Sequence, residues 1–248
     1  MGLPPRCAQR AIPSVVVDRG PLLVHLHVAT SVPLIAGRKP VCLVVAGRSP
    51  YRRNMATVLD MSISLDGYIA GANEEPGHIE RLHRWFFLGD ESGAHGVPGV
   101  PPGVNGTAMR RILATGAVVA PRRTFEQGEG WHGDHHDGVP VFILSRRPAP
   151  SDAAKWPLVT YLTDVGDALR RARDAAGERD VLVHGGAGTL ARAVDADELD
   201  EIALHVVPVV LGSGRPLFSE LPGRVELERT HVLEGEDGVT HLRYRVLR

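Results

Sequence analysis

The apolar and polar positions between residues 117 and 194 fall into alternating blocks that predict strands and helices in turn. Buried strands are indicated by the short apolar runs at 117–120, 139–145, 158–162 and 181–184. An amphipathic stretch predicts a helix that begins after a Thr163 cap and ends at Gly177. Residues 189–194 predict another helix. This alternation is typical of parallel strands joined by helical crossovers.

The region before this alternation begins with a strand and continues into helices and a long loop. Residues 56–65 predict a strand that ends at the Asp66-Gly67 turn. Helices are indicated at 78–87 and at 107–115. Residues 89–106 are rich in Gly and Pro, so we expect a long loop there.

The last quarter of the chain is a succession of strands. Residues 201–207 alternate as a strand, and residues 225–233 and 240–247 flank a Glu-Asp-Gly turn that predicts a hairpin. Together the patterns predict an α/β fold, with a mixed β-sheet flanked by helices on both faces and a C-terminal β-hairpin.

Charge divides the chain near Met55. Residues 1–54 have a net charge of +7, and the remainder has a net charge of −8. We interpret residues 1–54 as a basic N-terminal extension, disordered or produced by an upstream mis-start, and residues 55–248 as the folded domain. An Arg-rich targeting segment and a basic arm that binds nucleic acid or acidic lipid are the alternatives. The arm is disfavoured because Tyr51 is the only aromatic residue in the extension.

Several classes of partner and chemistry are disfavoured by composition. The apolar runs of the extension are shorter than the roughly 20 residues that span a bilayer, so we expect no membrane partner and a cytoplasmic protein. We also expect no nucleic-acid partner. Both cysteines, Cys7 and Cys42, lie in the extension, which excludes disulfides and thiolate chemistry from the domain.

A glycine-rich turn joins the predicted strand at 181–184 to the helix after it. Its members are Gly185, Gly186, Ala187, Gly188 and Thr189. Missing Cβ atoms let a diphosphate approach the backbone, while N–H groups and the helix dipole favour an anion. Thr189 could cap the helix or donate its hydroxyl to a phosphate. An ordinary tight turn has the same pattern, so the motif alone leaves both interpretations open.

Two arginine pairs follow two of the predicted strands. Arg122-Arg123 comes after residues 117–120, and Arg146-Arg147 follows residues 139–145. Strand carboxyl ends are where open α/β sheets bind ligands, and an arginine fork suits the 2′-phosphate that distinguishes NADPH from NADH. Either pair alone could be a solvated surface pair. Together with the glycine turn, the two pairs make three segments of one sheet that suit a phosphate, which favours binding of a phosphate-containing ligand.

Asp66 follows the first predicted strand at an Asp-Gly turn. Its carboxylate could anchor a polar substrate or supply a proton at the mouth of the sheet. The spacing alone favours a purely conformational turn residue.

The segment Trp131–Asp137 contains three histidines and two aspartates. Such a group could bind a metal ion, but nothing in the pattern supplies a helical frame or a second ligand set. We therefore interpret the segment as part of a solvated polar loop and expect no metal.

Taken together, motifs from Thr57 to Val246 resemble the dihydrofolate-reductase-like family related to the C-terminal reductase domain of the bifunctional riboflavin-biosynthesis deaminase/reductase. The resemblance rests on the segments Met61–Gly71, Arg122–Phe125, Val181–Thr189, Asp200–Gly214, Leu217-Phe218 and His241–Val246.

The resemblance implies a mixed sheet of about eight strands, commonly paired into homodimers. It also implies NADPH, with Asp66 as the catalytic residue. Substrate contacts are expected from Ser64, Gly67, Tyr68 and Phe125. The cofactor is expected to contact Arg122, Thr124, Ser145, Arg146, Gly185, Gly186, Ala187, Gly188 and Thr189.

The leading functional hypothesis is an NADPH-dependent reductase that transfers a hydride to a small heterocyclic or carbonyl-type substrate. The alternative is a non-catalytic NADP(H)-binding or nucleotide-binding protein of the same fold. Pro121 favours the alternative, because relatives usually carry glycine there and proline offers no N–H to a phosphate.

Overall fold

The structure is a computed structural model, which describes residues 55–72, 77–87 and 99–248. These residues all belong to one compact unit, Ser49–Arg248. The predictions for residues 1–54, and most of the loop predicted at 89–106, lie outside the described residues. No helix in the described ranges has the length and apolar character needed to cross a lipid bilayer.

The described chain alternates between strands and helices. The helices are α1 (His78–Phe87), α2 (Gly103–Leu113), α3 (Arg122–Gln127), α4 (Val165–Ala176) and α5 (Ala187–Asp195). The strands are β1 (Thr57–Ser64), β2 (Tyr68–Gly71), β3 (Ala117–Pro121), β4 (Val141–Leu144), β5 (Val159–Leu162), β6 (Val181–Val183), β7 (Glu201–Val207), β8 (Gly214–Pro216), β9 (Leu227–Glu234) and β10 (Thr240–Val246). Short 3₁₀ helices span Glu129–Gly133, Ala153–Lys155 and Glu236–Gly238.

Eight of these strands form one mixed sheet in the order β5-β4-β3-β6-β1-β7-β10-β9. The six strands from β5 to β7 are mutually parallel, and β10 pairs antiparallel with both β7 and β9. One face packs against α4 and α5, and the other packs against α1 and α2. The predicted fold class, including the C-terminal hairpin, is confirmed.

Helix α2 begins four residues before its predicted start at Thr107. Its N-cap, Pro102, has no side-chain oxygen to accept the first backbone N–H groups. Instead the carboxylate of Glu236, in the turn between β9 and β10, accepts from the N–H of Val104 at 3.0 Å and of Asn105 at 2.9 Å. This cap comes from about 130 residues away in sequence, so the local pattern could not indicate it.

Two other helix starts also differ from the prediction. The cap of α4 is Asp164, not Thr163, and its carboxylate accepts from the N–H of Asp167 at 2.7 Å. Helix α5 begins at Ala187 after Gly186, so Thr189 lies inside the helix and does not cap it. Gly177 ends α4 as predicted, with φ of 64°.

A small second sheet was not predicted. Strand β2 pairs antiparallel with β8, and the two lie beyond the carboxyl end of β1. Both strands are shorter than five residues, which is too short for an alternating pattern to be distinguished from a loop.

Candidate functional site

The candidate site lies at the edge of the sheet where the parallel strands end. Strands β1, β3, β4 and β6 run in the same direction, so Ser64, Pro121, Leu144 and Val183 all terminate at this edge. In open α/β sheets, ligands bind outside the carboxyl ends of the strands. The fold therefore brings the glycine turn, both arginine pairs and the Asp66 turn to one side of the molecule.

The glycine turn after β6 lies against the end of β1 and against β2. The N–H of Gly185 lies 3.3 Å from the sulfur of Met61 in β1. A Cβ on Gly186 would stand 3.4 Å from the side chain of Ile69 in β2. The N–H groups of Ala187 and Gly188, in the first turn of α5, have no acceptor among the described residues. Two unsatisfied donors at a helix N-terminus are suited to an anion.

Two side chains limit how open this turn is. Thr189 is 2% exposed, and its Cβ would lie 2.7 Å from a Cβ placed on Gly185. Its hydroxyl is therefore buried beside the turn. The carboxylate of Glu220 lies 2.9 Å from where a Cβ of Gly188 would stand, which puts a negative charge beside the first turn of α5. Glu220 is exposed, so this side chain can move away.

The carboxylate of Asp66 holds the loop that follows β7. One oxygen accepts from the hydroxyl of Ser64 at 2.6 Å and from the N–H of Leu211 at 3.1 Å. The other accepts from the N–H of Gly212 at 2.8 Å. The hydroxyl of Ser64, followed by the two backbone N–H groups, lowers the pKa of Asp66 below its usual value. Asp66 therefore stays ionised at neutral pH, which disfavours the predicted role as a proton donor.

The predicted substrate contacts at this turn differ in their exposure. Ser64 is fully buried, and its oxygen also accepts from the N–H of Tyr68 at 2.9 Å. Gly67 has φ of 86°, a left-handed conformation that glycine adopts without strain. Tyr68 is half-buried and pairs with Pro216 across the small sheet. Ser64 thus shapes the turn from within, while Gly67 and Tyr68 reach its surface.

The predicted phosphate-binding residues are only partly available. Arg122 is committed to internal partners, since it donates to Glu126 at 2.6 Å and to the carbonyl of Pro148 at 2.8 Å. The hydroxyl of Ser145 bonds the backbone of Arg147 within its own turn. Arg146 is exposed and makes no hydrogen bond or ion pair within the described ranges, and Thr124 is half-buried. Of this group, Arg146 is the cation best placed to bind a ligand.

Phe125 is a core residue, which corrects the prediction that it contacts substrate. Its ring is 1% exposed. It packs edge-on against Trp131, Trp156 and Tyr161, with ring centroids 5.2–6.3 Å apart. The side chain points under the sheet because α3 turns back over β3 and β4 immediately after Pro121.

The segment Trp131–Asp137 is not a solvated loop, and this prediction was wrong. His136 is 3% exposed and His135 is half-buried. The two Nδ1 atoms of His135 and His136 are 2.6 Å apart, and Nε2 of His135 lies 2.8 Å from Nε2 of His184. His184 directly precedes the glycine turn. Burial lowers the pKa of His135 well below its usual value, which keeps its ring neutral at pH 7.

An unusual backbone positions this histidine cluster. Five consecutive residues, from Glu129 to Gly133, have φ between 45° and 87°. A left-handed turn of this kind costs roughly 1–2 kcal/mol for each residue other than glycine. It packs the indole of Trp131 against His135 and His184, with ring centroids 4.6 and 5.7 Å apart. Strain of this kind is characteristic of functional segments.

A second polar network lies under the same face of the sheet. The Asp60 carboxylate is 3.0 Å from Nε2 of His205, whose Nδ1 is 2.6 Å from Nδ1 of His241. His241 Nε2 lies 2.9 Å from the Asn105 side-chain oxygen, and the Asn105 amide donates to the Trp85 carbonyl at 3.2 Å. No cluster of His, Cys, Asp and Glu within the described ranges has a metal-binding arrangement.

The family model of the RibD C-terminal domain matches residues 56–241, three quarters of the chain. The chain belongs to the RibD C-terminal domain family. The family relationship predicted from the motifs is thereby confirmed.

Two curated relatives are proteins of Bacillus subtilis strain 168. The uncharacterized protein YyaP is 32% identical over 202 residues, which cover 75% of this chain and 93% of YyaP. The uncharacterized protein YwjB is 26% identical over 171 residues, covering 69% of this chain and 87% of YwjB. This chain thus matches nearly the whole length of both.

Three solved structures share the fold of this family member. A putative riboflavin biosynthesis protein from Shewanella sp. PV-4 gives a TM-score of 0.58 at 22% identity, covering 78% of this chain and 100% of that one. A diaminohydroxyphosphoribosylaminopyrimidine deaminase/5-amino-6-(5-phosphoribosylamino)uracil reductase from Thermotoga maritima gives 0.51 at 17% identity, covering 78% and 57%. A pyrimidine reductase-like protein from Corynebacterium diphtheriae gives 0.51 at 15% identity, covering 83% and 98%.

Proposed function

We propose that this protein is an NADPH-dependent reductase that transfers a hydride to a small heterocyclic substrate. The observation that carries the proposal is the glycine turn of Gly185–Gly188, which lies against β1 and β2 and whose Ala187 and Gly188 N–H groups have no acceptor among the described residues. Family membership supports a reductase, and two of the structural relatives are described as pyrimidine reductases or reductase-like. A substituted pyrimidine is therefore the first substrate class to test.

The glycine turn fits the diphosphate of a dinucleotide. Side chains are absent at Gly185, Gly186 and Gly188, so the backbone can approach the phosphates closely. The N–H groups of Ala187 and Gly188 would donate to the diphosphate oxygens, with support from the dipole of α5. The buried hydroxyl of Thr189 would have to rotate toward the ligand to take part.

Arg146 is the residue that we propose for the 2′-phosphate of NADPH. It follows β4 at the same edge of the sheet and is exposed without an internal partner in the described part of the chain. Arg122 would bind the same phosphate only if it released Glu126. Thr124 and Ser145 would help by shaping the backbone on either side of the phosphate. A single uncommitted guanidinium is consistent with a moderate preference for NADPH over NADH.

When bound, NADPH supplies the hydride, and the protein orients the nicotinamide and the acceptor. Gly186 lies against Ile69, so the glycine turn is beside β2. Asp66 holds the loop after β7, on the other side of the end of β1. We therefore propose that Asp66 positions the substrate pocket as an ionised anchor. Tyr68 and Gly67 would border that pocket.

The alternative is a protein that binds NADP(H) without turnover. Pro121 and Glu220 favour it, because one removes a backbone donor and the other places a carboxylate near the diphosphate. Pro121 closes β3 and directly precedes α3.

A titration of the full chain with NADPH and NADH tests both functions. Tryptophan fluorescence and thermal shift report binding, and nicotinamide absorbance reports oxidation over a panel of substituted pyrimidines, pteridines and small carbonyl compounds. Saturable NADPH binding with oxidation by one panel member supports the reductase. Binding without oxidation favours the alternative, and absence of binding to either cofactor contradicts both. Light scattering of the same sample would test the homodimer that the family resemblance implies.

A further inference from the structure

The network of Asp60, His205 and His241 joins three strands and a helix under the sheet. Asp60 lies on β1, His205 on β7 and His241 on β10, and Asn105 of α2 ends the chain of contacts. His205 and His241 are 4% and 5% exposed. Because buried polar groups need their hydrogen bonds satisfied, the protons in this chain can be counted.

The groups at the two ends of this hydrogen-bonded network, the Asn105 side-chain oxygen and the Asp60 carboxylate, are both acceptors. The Asn105 amide nitrogen faces the Trp85 carbonyl, so its oxygen faces His241 and must accept from Nε2–H. At the other end the ionised carboxylate of Asp60 accepts from Nε2–H of His205. Between them the two Nδ1 atoms are 2.6 Å apart, a separation at which two bare lone pairs would repel.

Each of the three contacts in this network (Asp60–His205, His205–His241 and His241–Asn105) therefore holds one proton. Two neutral imidazoles supply two protons, so the third is an extra one. We infer that the His205–His241 pair holds one shared extra proton that neutralises Asp60. This proton makes the stability of the contact between the sheet and α2 depend on pH.

The charges around the network favour an ionised Asp60 and oppose two charged imidazoles. Burial alone would raise the pKa of Asp60, but the charge and hydrogen bond of His205 lower it below its usual value. Burial, followed by the charge of His205, lowers the pKa of His241 to about 4, so a second proton binds the pair only in acid. The other ionisable groups around the network are His83 on α1, Arg111 on α2, His184 after β6, Arg243 on β10, Glu236 in the hairpin turn, and Asp180 and His231, which line the adjoining cavity.

A cavity adjoins this network. It has a volume of about 40 Å³ and is lined by Asp60, His205 and His241 together with Arg111 and Thr115. A cavity needs roughly 10–15 Å³ to hold one water molecule, so this one has room for a small cluster. Protons can therefore enter and leave the pair without unfolding of the sheet.

Loss of the extra proton should destabilise the contact between the sheet and α2. Without it, one of the three contacts is left with two facing acceptors, and Asp60 remains as a buried charge. The folded protein should then retain this proton above pH 6.5, where free histidine releases its own. Because the folded state binds more protons than the unfolded state in that range, stability should fall as the pH rises.

The variant Asp60→Asn provides the test. An asparagine amide can donate to Nε2 of His205, after which two neutral imidazoles supply the protons of the remaining contacts, so the variant needs no extra proton. Urea unfolding of the full chain is measured for both proteins from pH 6.5 to 8.5. The ratio of the wild-type folding constant to that of Asp60→Asn should fall about fivefold from pH 6.5 to 7.5, where unfolded histidine still binds some protons, and about tenfold over the next pH unit, until the folded wild type releases its proton. A ratio that is constant over this range would overturn the inference.

A second measurement keeps the inference testable if Asp60→Asn fails to fold. In ¹⁵N-histidine NMR spectra of the wild type at pH 7.5, the pair should show three protonated ring nitrogens out of four. Two protonated nitrogens would overturn the inference. His132→Gln is the matched control, because His132 is an exposed histidine that is not among the residues lining this cavity. This control should leave the signals of the pair and the pH dependence of stability unchanged.

Discussion

Replacement of Phe125 by alanine tests whether this residue belongs to the core or to a ligand pocket. Its ring is 1% exposed and has three edge-on aromatic neighbours. Burial of a phenylalanine side chain contributes about 1.5–3 kcal/mol, and each favourable aromatic pair adds about 0.5–1.5 kcal/mol. With partial relaxation around the cavity, Phe125→Ala should lower the free energy of unfolding by about 3–5 kcal/mol.

Urea denaturation followed by circular dichroism measures this loss as a lower midpoint at an unchanged slope. A domain of ordinary stability, about 5–15 kcal/mol, would still fold in buffer. Phe218→Ala is the matched control, since Phe218 is 39% exposed and its removal should cost less than about 1 kcal/mol. If Phe125→Ala left stability within 1 kcal/mol of the wild type and raised KM instead, the ring would belong to the substrate site and our placement of the core would be refuted.

Three further substitutions test the candidate site. Asp66→Asn should lower turnover more than NADPH affinity, because the loop at Leu211 loses its charged acceptor; a selective loss of NADPH affinity in titrations would contradict this role. Arg146→Ala should narrow the preference for NADPH over NADH, whereas Arg147→Ala, which removes an exposed partner of Glu126, should not; unchanged preference in the first variant would remove Arg146 from the 2′-phosphate site. Glu220→Gln should tighten NADPH binding, because a negative charge near Gly188 is removed; weaker binding would indicate that the diphosphate lies elsewhere.

The main sheet could be predicted because its strands carry their own signal. The apolar runs at 117–120, 139–145 and 181–184 correspond to β3, β4 and β6, and the predicted strand at 201–207 has the bounds of β7. Strands buried on both faces read as continuous apolar runs, and short crossovers leave few alternative topologies.

The features that were missed depend on contacts between distant residues. The start of α2 is fixed by Glu236, and Phe125 packs against Trp156 and Tyr161, which follow it by more than 30 residues. A loop rich in His, Asp and Gly has the composition of a solvated segment. Its burial follows from the contact of His135 with His184, which is 49 residues away.

One signal in β1 could have indicated the buried polar networks. In this strand Asp60, Ser62 and Ser64 alternate with apolar residues, a pattern that usually places polar side chains in solvent. The same sequence, however, predicts β1 as part of a parallel sheet covered by helices on both faces, so no face of β1 is solvated. The two statements agree only if the polar face of β1 meets other polar side chains inside the protein.

Strands β7 and β10 supply these polar side chains. Ser62 pairs in register with His205 of β7, and His205 pairs with His241 of β10. A largely buried carboxylate on a central strand requires a compensating partner nearby, and the imidazole of His205 hydrogen-bonds the carboxylate of Asp60. Polar alternation in a strand that must be buried is therefore itself evidence for an internal titratable network, here the one that joins Asp60, His205 and His241.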